Sequence, residues 1–221
     1  MKVLSIDCAI KNCGWSYLSY ENKNINIIDF GLLDFTTFPL CKVCSEPSIA
    51  FNFDECEPVY CCKGHMKQFN CKKIKKKLTS QEICKNLIQK LKNIAFIDNI
   101  DIVILENQPS LQNPTSKAVQ VMLMTYFTTI NKNVILQNPN QKFYGYKFEN
   151  NKKKYKDRKL MSIYLIKNTI KKEIFNKLLQ YSKTDDICDS ILMGYCYFSE
   201  EDKKIKDNFL KLIEEYEKQK K

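Results

Sequence analysis

Three segments near the N-terminus alternate apolar with small or polar residues: Val3-Leu4-Ser5-Ile6-Asp7, Gly14-Trp15-Ser16-Tyr17-Leu18-Ser19-Tyr20 and residues 25–33. This alternation predicts β-strands, and the turn signals Lys11-Asn12 and Glu21-Asn22-Lys23-Asn24 between them predict antiparallel pairing. The β-branched run Ile100-Asp101-Ile102-Val103-Ile104-Leu105 predicts a fourth strand ending at Glu106, and Val134-Ile135-Leu136 predicts a fifth. A helix predicted over 115–130 joins these two, which implies a parallel crossover. Apolar positions at a period near 3.6 predict further helices: one from Thr79-Ser80-Gln81-Glu82 to about Phe96, and others over 158–179, 184–198 and 202–219. The first of these is expected to bury Ile83, Leu87, Leu91 and Ile94. The element order predicts an α/β fold, a mixed five-stranded sheet flanked by helices.

A stretch of roughly 37–74 follows neither period and carries six of the eleven cysteines. We read it as an insertion (38–74) in one main domain (1–200), followed by a C-terminal helix (201–221). An odd cysteine count, concentrated in one segment of a 221-residue chain, argues for metal binding over a disulfide scaffold. No apolar run approaches the ~20 residues of a membrane span. Met1-Lys2-Val3 leads into a strand instead of a signal peptide, so a soluble, intracellular protein is expected.

Charge narrows the partner. The chain has 36 Lys and Arg against 25 Asp and Glu, a formal net charge of +11. Such an excess favours a polyanion, because each neutralised phosphate releases condensed counterions. Arg158 is the only arginine, and lysines suit phosphate tracking better than bidentate reading of guanine. The bland explanation is a lysine-rich composition that serves solubility.

Asp7 ends the first predicted strand and Glu106 the fourth. Open α/β sheets bind ligands beyond the carboxyl ends of their strands, although a lone acid there usually just marks where solvent begins. The third acidic element is Thr184-Asp185-Asp186-Ile187-Cys188-Asp189-Ser190, on a helix whose apolar stripe is 187, 188, 191, 192 and 195. Helix-dipole capping accounts for Asp185 and Asp186, and less well for Asp189. Gathered with Asp7 and Glu106, these acids would form an oxygen-rich nest for Mg²⁺ or Mn²⁺. Two such ions about 4 Å apart serve phosphodiester hydrolysis.

Taken in order, Leu4-Ser5-Ile6-Asp7 with Asn12-Cys13-Gly14-Trp15, then Leu105-Glu106-Asn107-Gln108-Pro109, then Asp185-Asp186-Ile187-Cys188-Asp189-Ser190 resemble the acidic motifs of RuvC-like Holliday junction resolvases. The likeness is to the poxvirus and iridovirus branch and its fungal mitochondrial relatives, of the ribonuclease H-like superfamily, and spans residues 1 to about 198. It implies that Asp7, Glu106, Asp186 and Asp189 hold the catalytic metal ions, with Asp185 an additional acid that could replace or assist Asp186. It also implies a homodimer that cuts opposed strands of a four-way junction, in host cytoplasm or nucleus where viral DNA is replicated. Lys154-Tyr155-Lys156-Asp157-Arg158-Lys159 resembles the basic tract of these enzymes. Lys154, Lys156, Arg158 and Lys159 are then expected to contact DNA, with Lys159 also assisting catalysis. The helix after Glu106, with Val119, Met122, Leu123 and Tyr126, reads as a core face first and as a dimer face second.

Cys41-Lys42-Val43-Cys44 and Cys62-Lys63-Gly64-His65 form two short-spaced ligand pairs, and His65 is the only histidine. Together they suit a structural Zn²⁺, whose closed tetrahedron leaves no place for a reactive water. Cys61 is an alternative to Cys62, and Cys56 and Cys71 are spare thiols. The leading reading is a junction-resolving endonuclease. A different ribonuclease H-like nuclease, cutting RNA in hybrids or other branched DNA, shares the acids and differs in substrate. A non-catalytic zinc-containing nucleic-acid-binding protein predicts binding without cleavage. An actin-like ATPase ranks last, for want of glycine-rich phosphate loops among five glycines.

Overall fold

The computed structural model describes residues 1–36, 38–46, 48–52, 58–74, 78–111, 113–144, 146, 148 and 154–220. Its strands are β1 (Lys2–Asp7), β2 (Cys13–Glu21), β3 (Asn24–Leu33), β4 (Ala50–Asn52), β5 (Val59–Cys61), β6 (Lys72–Lys73), β7 (Ile102–Glu106) and β8 (Asn133–Gln137). Its helices are α1 (Ser80–Lys92), α2 (Pro114–Thr129), α3 (Lys154–Thr169), α4 (Lys172–Leu178), α5 (Thr184–Phe198) and α6 (Lys203–Lys220). The chain forms two compact units: Met1–Leu33 with Ile94–Lys221, and Asp34–Asn93.

In the first unit a five-stranded sheet has the order β3-β2-β1-β7-β8. The β1–β2 and β2–β3 pairs are antiparallel, and β1–β7 and β7–β8 are parallel. The expected hairpins and crossover are therefore present. Asn12, Asn22 and Lys23 take positive φ in the two tight connections, the conformation that short turns demand. The register Ile6↔Leu105 carries Asp7 and Glu106 out of the sheet together, side by side at the same end.

Helix α5 lies on β1 and β2 with Ile187, Cys188, Ile191, Leu192 and Tyr195 buried, the stripe expected of it. It approaches closely at two glycines. A Cβ on Gly14 would stand 2.1 Å from the Asp186 carbonyl oxygen, and one on Gly194 would stand 2.2 Å from Leu18 Cδ1. Backbone cannot yield at Gly14 as a side-chain tip can. Gly14→Ala is therefore expected to cost about 2 kcal/mol, read as a Tm lower by about 4 °C or more. An unchanged Tm would mean that α5 can back away from the sheet.

The helix expected over 158–179 is instead α3 and α4, separated at Ile170 and Lys171. The Thr169 hydroxyl donates to the Leu165 carbonyl at 2.7 Å, a local bond that competes with helix continuation, and Lys171 is extended. Helix α2 turns Val119, Leu123 and Phe127 into the core, with Met122 and Tyr126 half-buried, so this is a core face. Helix α6 buries Phe209 and Ile213 in the main hydrophobic cluster with α3 and α5 residues.

The second unit is wider than the expected insertion and takes in α1, which stops at Lys92 instead of Phe96. Thr79 and Glu82 form a capping box at its start, and Ile83, Leu87 and Leu91 are buried. Ile94 belongs to the other unit. The cysteine-rich segment contains a three-stranded sheet, β5-β4-β6, that the sequence did not announce. Its core is small: Cys41, Ala50, Val59, Cys61, Cys62 and Cys71, with Met66 and Phe69 packed against it.

Candidate active site and cysteine cluster

Four of the acids singled out in the sequence line one cleft of about 400 Å³: Asp7, Glu106, Asp186 and Asp189. The ends of adjacent parallel strands supply the first pair, and the first turns of α5 supply the second. Lys142, Arg158, Lys159 and Tyr155 share the lining.

Lys142 was not singled out from the sequence, yet it is the most deeply held cation here. Its side chain is 5% exposed, and its Nζ lies 3.0 Å from Glu106 Oε1 and 3.0 Å from Asp189 Oδ2. Burial disfavours the ammonium, but Asp189, Glu106 and Asp7 outweigh it and raise the lysine above its ordinary range. Gln108 Nε2 donates to Glu106 Oε2 at 2.5 Å, and the Ser162 hydroxyl donates to Asp189. Nothing in the sequence distinguishes Lys142, which sits in a lysine- and asparagine-rich connection after β8.

Asp7 and Glu106 share a hydrogen bond and titrate in opposite directions. Burial, then the charges of Glu106 and Asp189, push Asp7 well above the usual carboxylate range. Burial also opposes ionisation of Glu106, but Lys142, Asp7 and Gln108 hold its carboxyl below that range. Of the pair, Asp7 is the carboxyl whose ionisation is disfavoured. One lysine does not satisfy the negative charge gathered here.

At the other side of the cleft Lys159 pairs with Asp185 and, at 2.6 Å, with Asp186. Burial, the first influence, raises the Asp186 carboxyl, with Lys159 pulling it down and Asp185 and Asp189 pushing it up. Asp185 and Asp186 both lie in the first turn of α5, where the helix dipole favours acids, and both carboxylates also pair with Lys159. Asp186 lines the cleft, whereas Asp185 is not among its lining residues. Arg158 stacks over Phe143 and Phe148 at 5.6 and 5.5 Å and donates to Asn140. Lys156 is exposed, and the Lys154 side chain lies outside the described residues.

The donor set fits a hard divalent cation. It is all carboxylate oxygen, the ligand that Mg²⁺ and Mn²⁺ prefer, and the burial and neighbouring negative charge that raise Asp7 are what a bound cation would offset. Asp7, Glu106, Asp186 and Asp189 are the residues that would hold it. Lys142 is the counter-charge that the chain itself supplies to these acids. Lys142→Met is expected to destabilise the chain by about 3 kcal/mol in EDTA, with much of the loss regained in Mg²⁺. Urea unfolding with and without Mg²⁺ checks this, and equal stability of variant and wild type in EDTA would contradict it.

In the second unit, ligand atoms of Cys41, Cys44, Cys62 and His65 all lie within 4.8 Å of one another. Cys62 Sγ is 3.3 Å and Cys41 Sγ 3.7 Å from His65 Nδ1, and Cys44 Sγ is 3.6 Å from Cys62 Sγ. Burial opposes ionisation of Cys41, but the backbone N–H groups of Cys62, Val43 and Cys44 bring its thiol down to about 6. Of the two adjacent cysteines it is Cys62 that joins the group. Cys61 points into the small core, where burial and Cys71 push it up to about 12. Cys71 donates to the Val59 carbonyl, and Cys56 lies outside the described residues. The soft, tetrahedral-sized donor set fits Zn²⁺.

Among the described residues no helix is long and apolar enough to cross a membrane. A protein of Acanthamoeba polyphaga mimivirus is 30% identical over 164 residues, 61% of this chain and 39% of that protein. A Holliday junction resolvase of fowlpox virus is 36% identical over 108 residues, 49% of this chain and 64% of that enzyme. The chain thus spans less than two thirds of the length of either relative. The crystal structure of fowlpox virus resolvase with substrate Holliday junction DNA superposes with a TM-score of 0.53 at 22% identity, covering 90% of this chain and 98% of that one. The sheet and its helices therefore have the ribonuclease H-like fold of that resolvase. The family model described as Poxvirus A22 protein matches residues 61–201, well over half of the sequence and including Glu106, Asp186 and Asp189, and so the chain belongs to the Poxvirus A22 protein family.

Proposed function

We propose that this chain is a structure-selective endonuclease that resolves four-way DNA junctions by metal-assisted phosphodiester hydrolysis. The observation that carries the reading is the convergence of Asp7, Glu106, Asp186 and Asp189 on one cleft flanked by Lys142, Arg158 and Lys159. The kinship with a fowlpox enzyme named for this activity supports it. When bound, Mg²⁺ or Mn²⁺, in a pair as phosphodiester hydrolysis commonly uses, would supply an activated water and neutralise the leaving oxygen.

The chain's own groups do the rest. Gln108 and Ser162 fix the carboxylates of Glu106 and Asp189 by hydrogen bonds, so that the donors need no reorganisation. Lys159 is the cation at the cleft wall for a phosphate oxygen, Arg158 and Lys156 extend the basic surface along α3, and Lys154 of the same helix is a further DNA contact in this reading. Asp185 holds the Lys159 ammonium against Asp186. Cys41, Cys44, Cys62 and His65 hold a structural Zn²⁺ within the insertion.

The working form is a homodimer, because a four-way junction offers two equivalent phosphates to two equivalent sites. Its place of action is inside the host cell, where viral DNA is replicated. The test is cleavage of a synthetic four-way junction, a linear duplex and an RNA/DNA hybrid by the purified protein in Mg²⁺ and in Mn²⁺. Paired nicks in the junction alone support the proposal. Cleavage of the hybrid alone assigns another ribonuclease H-like nuclease, and junction binding without cleavage leaves a binding protein.

A further inference from the structure

We propose that the cysteine-rich unit is a second DNA-backbone contact, in which Lys63, Lys67, Lys72 and Lys73 engage phosphates of the bound DNA. The proposal rests on the reading of the chain as a DNA-junction enzyme. From Pro58 to Lys77 the sequence has seven lysines and not one Asp or Glu. Three of them, at 75–77, lie outside the described residues; the other four are exposed. None of the four has a carboxylate partner among the described residues.

The folded unit holds these charges in place. Lys63 and Lys67 lie on the turn whose backbone is tied by His65 N–H and Met66 N–H to the Cys62 carbonyl, at 3.2 and 3.1 Å. Cys71 N–H bonds to the Met66 carbonyl at 2.8 Å. Lys72 and Lys73 form β6, paired with β4. The cations are thus carried on one short zinc-site turn and the strand that follows it. Little ordering remains to be done when a polyanion arrives.

Two bland explanations fall short in number. Lysines protect a sheet edge from mispairing, and β6 is an edge strand, but this covers Lys72 and Lys73 only. Cations also offset the charge of a zinc–thiolate centre. Three thiolates and a neutral imidazole around Zn²⁺ leave about one negative charge, which one lysine would satisfy. Together these cover at most three of the seven lysines of 58–77, and we assign the others to an external anion. Lysine without arginine suits an evenly charged backbone read without base preference.

The experiment uses the full chain, with Lys63, Lys67, Lys72 and Lys73 all changed to Gln, beside a control with Lys203, Lys204, Lys206 and Lys211 changed to Gln. Zinc content is measured for each, and affinity for a four-way junction and a linear duplex is titrated at several salt concentrations without Mg²⁺. The expected result is full zinc content with affinity lower by roughly tenfold or more. The salt slope should be shallower by about 0.9 for each phosphate no longer neutralised, while the control changes little. Unaltered affinity and slope in the zinc-loaded variant, or an equal loss in the control, would overturn the proposal and leave the nuclease reading intact. A wild type that binds an acidic peptide but no DNA also overturns it. Lysine-dependent binding of duplex with no preference for the junction supports this contact while removing the junction reading.

Discussion

Asp189→Asn is expected to lower junction cleavage by roughly 10³-fold or more, with junction affinity within a few-fold of wild type. Asp189 sits between Lys142 Nζ at 3.0 Å and the Ser162 hydroxyl, with its side chain 14% exposed. Asparagine has the same shape and still accepts from Ser162, so the fold around it survives. It removes one negative charge from a set that would bind a divalent cation through charge. The loss should appear in the single-turnover rate, and raising Mg²⁺ should recover little of it. Binding is expected to depend instead on lysines spread over the surface, and one partly buried carboxylate does not alter those. Cleavage within tenfold of wild type would remove Asp189 from the machinery and, with it, the case for α5 as the source of the third and fourth ligands.

The parts of this site that were legible in the sequence are those whose position follows from a repeating pattern. Asp7 and Glu106 each terminate an apolar run, so a strand prediction also predicts their place, and parallel pairing of β1 and β7 brings them together. Asp186 and Asp189 fall beside a clear 3.6-residue stripe. Lys142 has no such marker. It lies in a 3-10 turn within a connection where lysines and asparagines abound, and its place is set by tertiary contacts, the packing of Phe143 into the core and the ion pairs with Glu106 and Asp189. The break between α3 and α4 was hidden for a related reason. Apolar periodicity continues across Ile170, and the side-chain bond of Thr169 that interrupts the helix leaves no periodic trace. The small sheet of the insertion was equally hidden. Strands of two or three residues carry too little alternation to register, and a core made largely of cysteines looks like a set of metal ligands.

That core makes the other large prediction, on removal of the insertion's metal. Six buried residues, four of them cysteines, hold β4, β5 and β6, which is little apolar surface to offset the ordering of the segment. Zinc bound by Cys41, Cys44, Cys62 and His65 would close the deficit. Cys62→Ala is therefore expected to reduce bound zinc from one per chain to almost none. Amide protection over 58–61 and 72–73 should then fall to that of an unfolded chain, while β1, β7 and α5 stay protected. Acid should do the same to the wild type. Zinc takes thiolates, and the site needs those of Cys41, Cys44 and Cys62 together, so protons compete with the metal as pH falls. Zinc release and loss of protection should then coincide on acidification, and both should reverse on return to neutral pH with zinc supplied. If the Cys62→Ala protein keeps full protection in that segment, the cysteines are core thiols and the insertion folds without a metal.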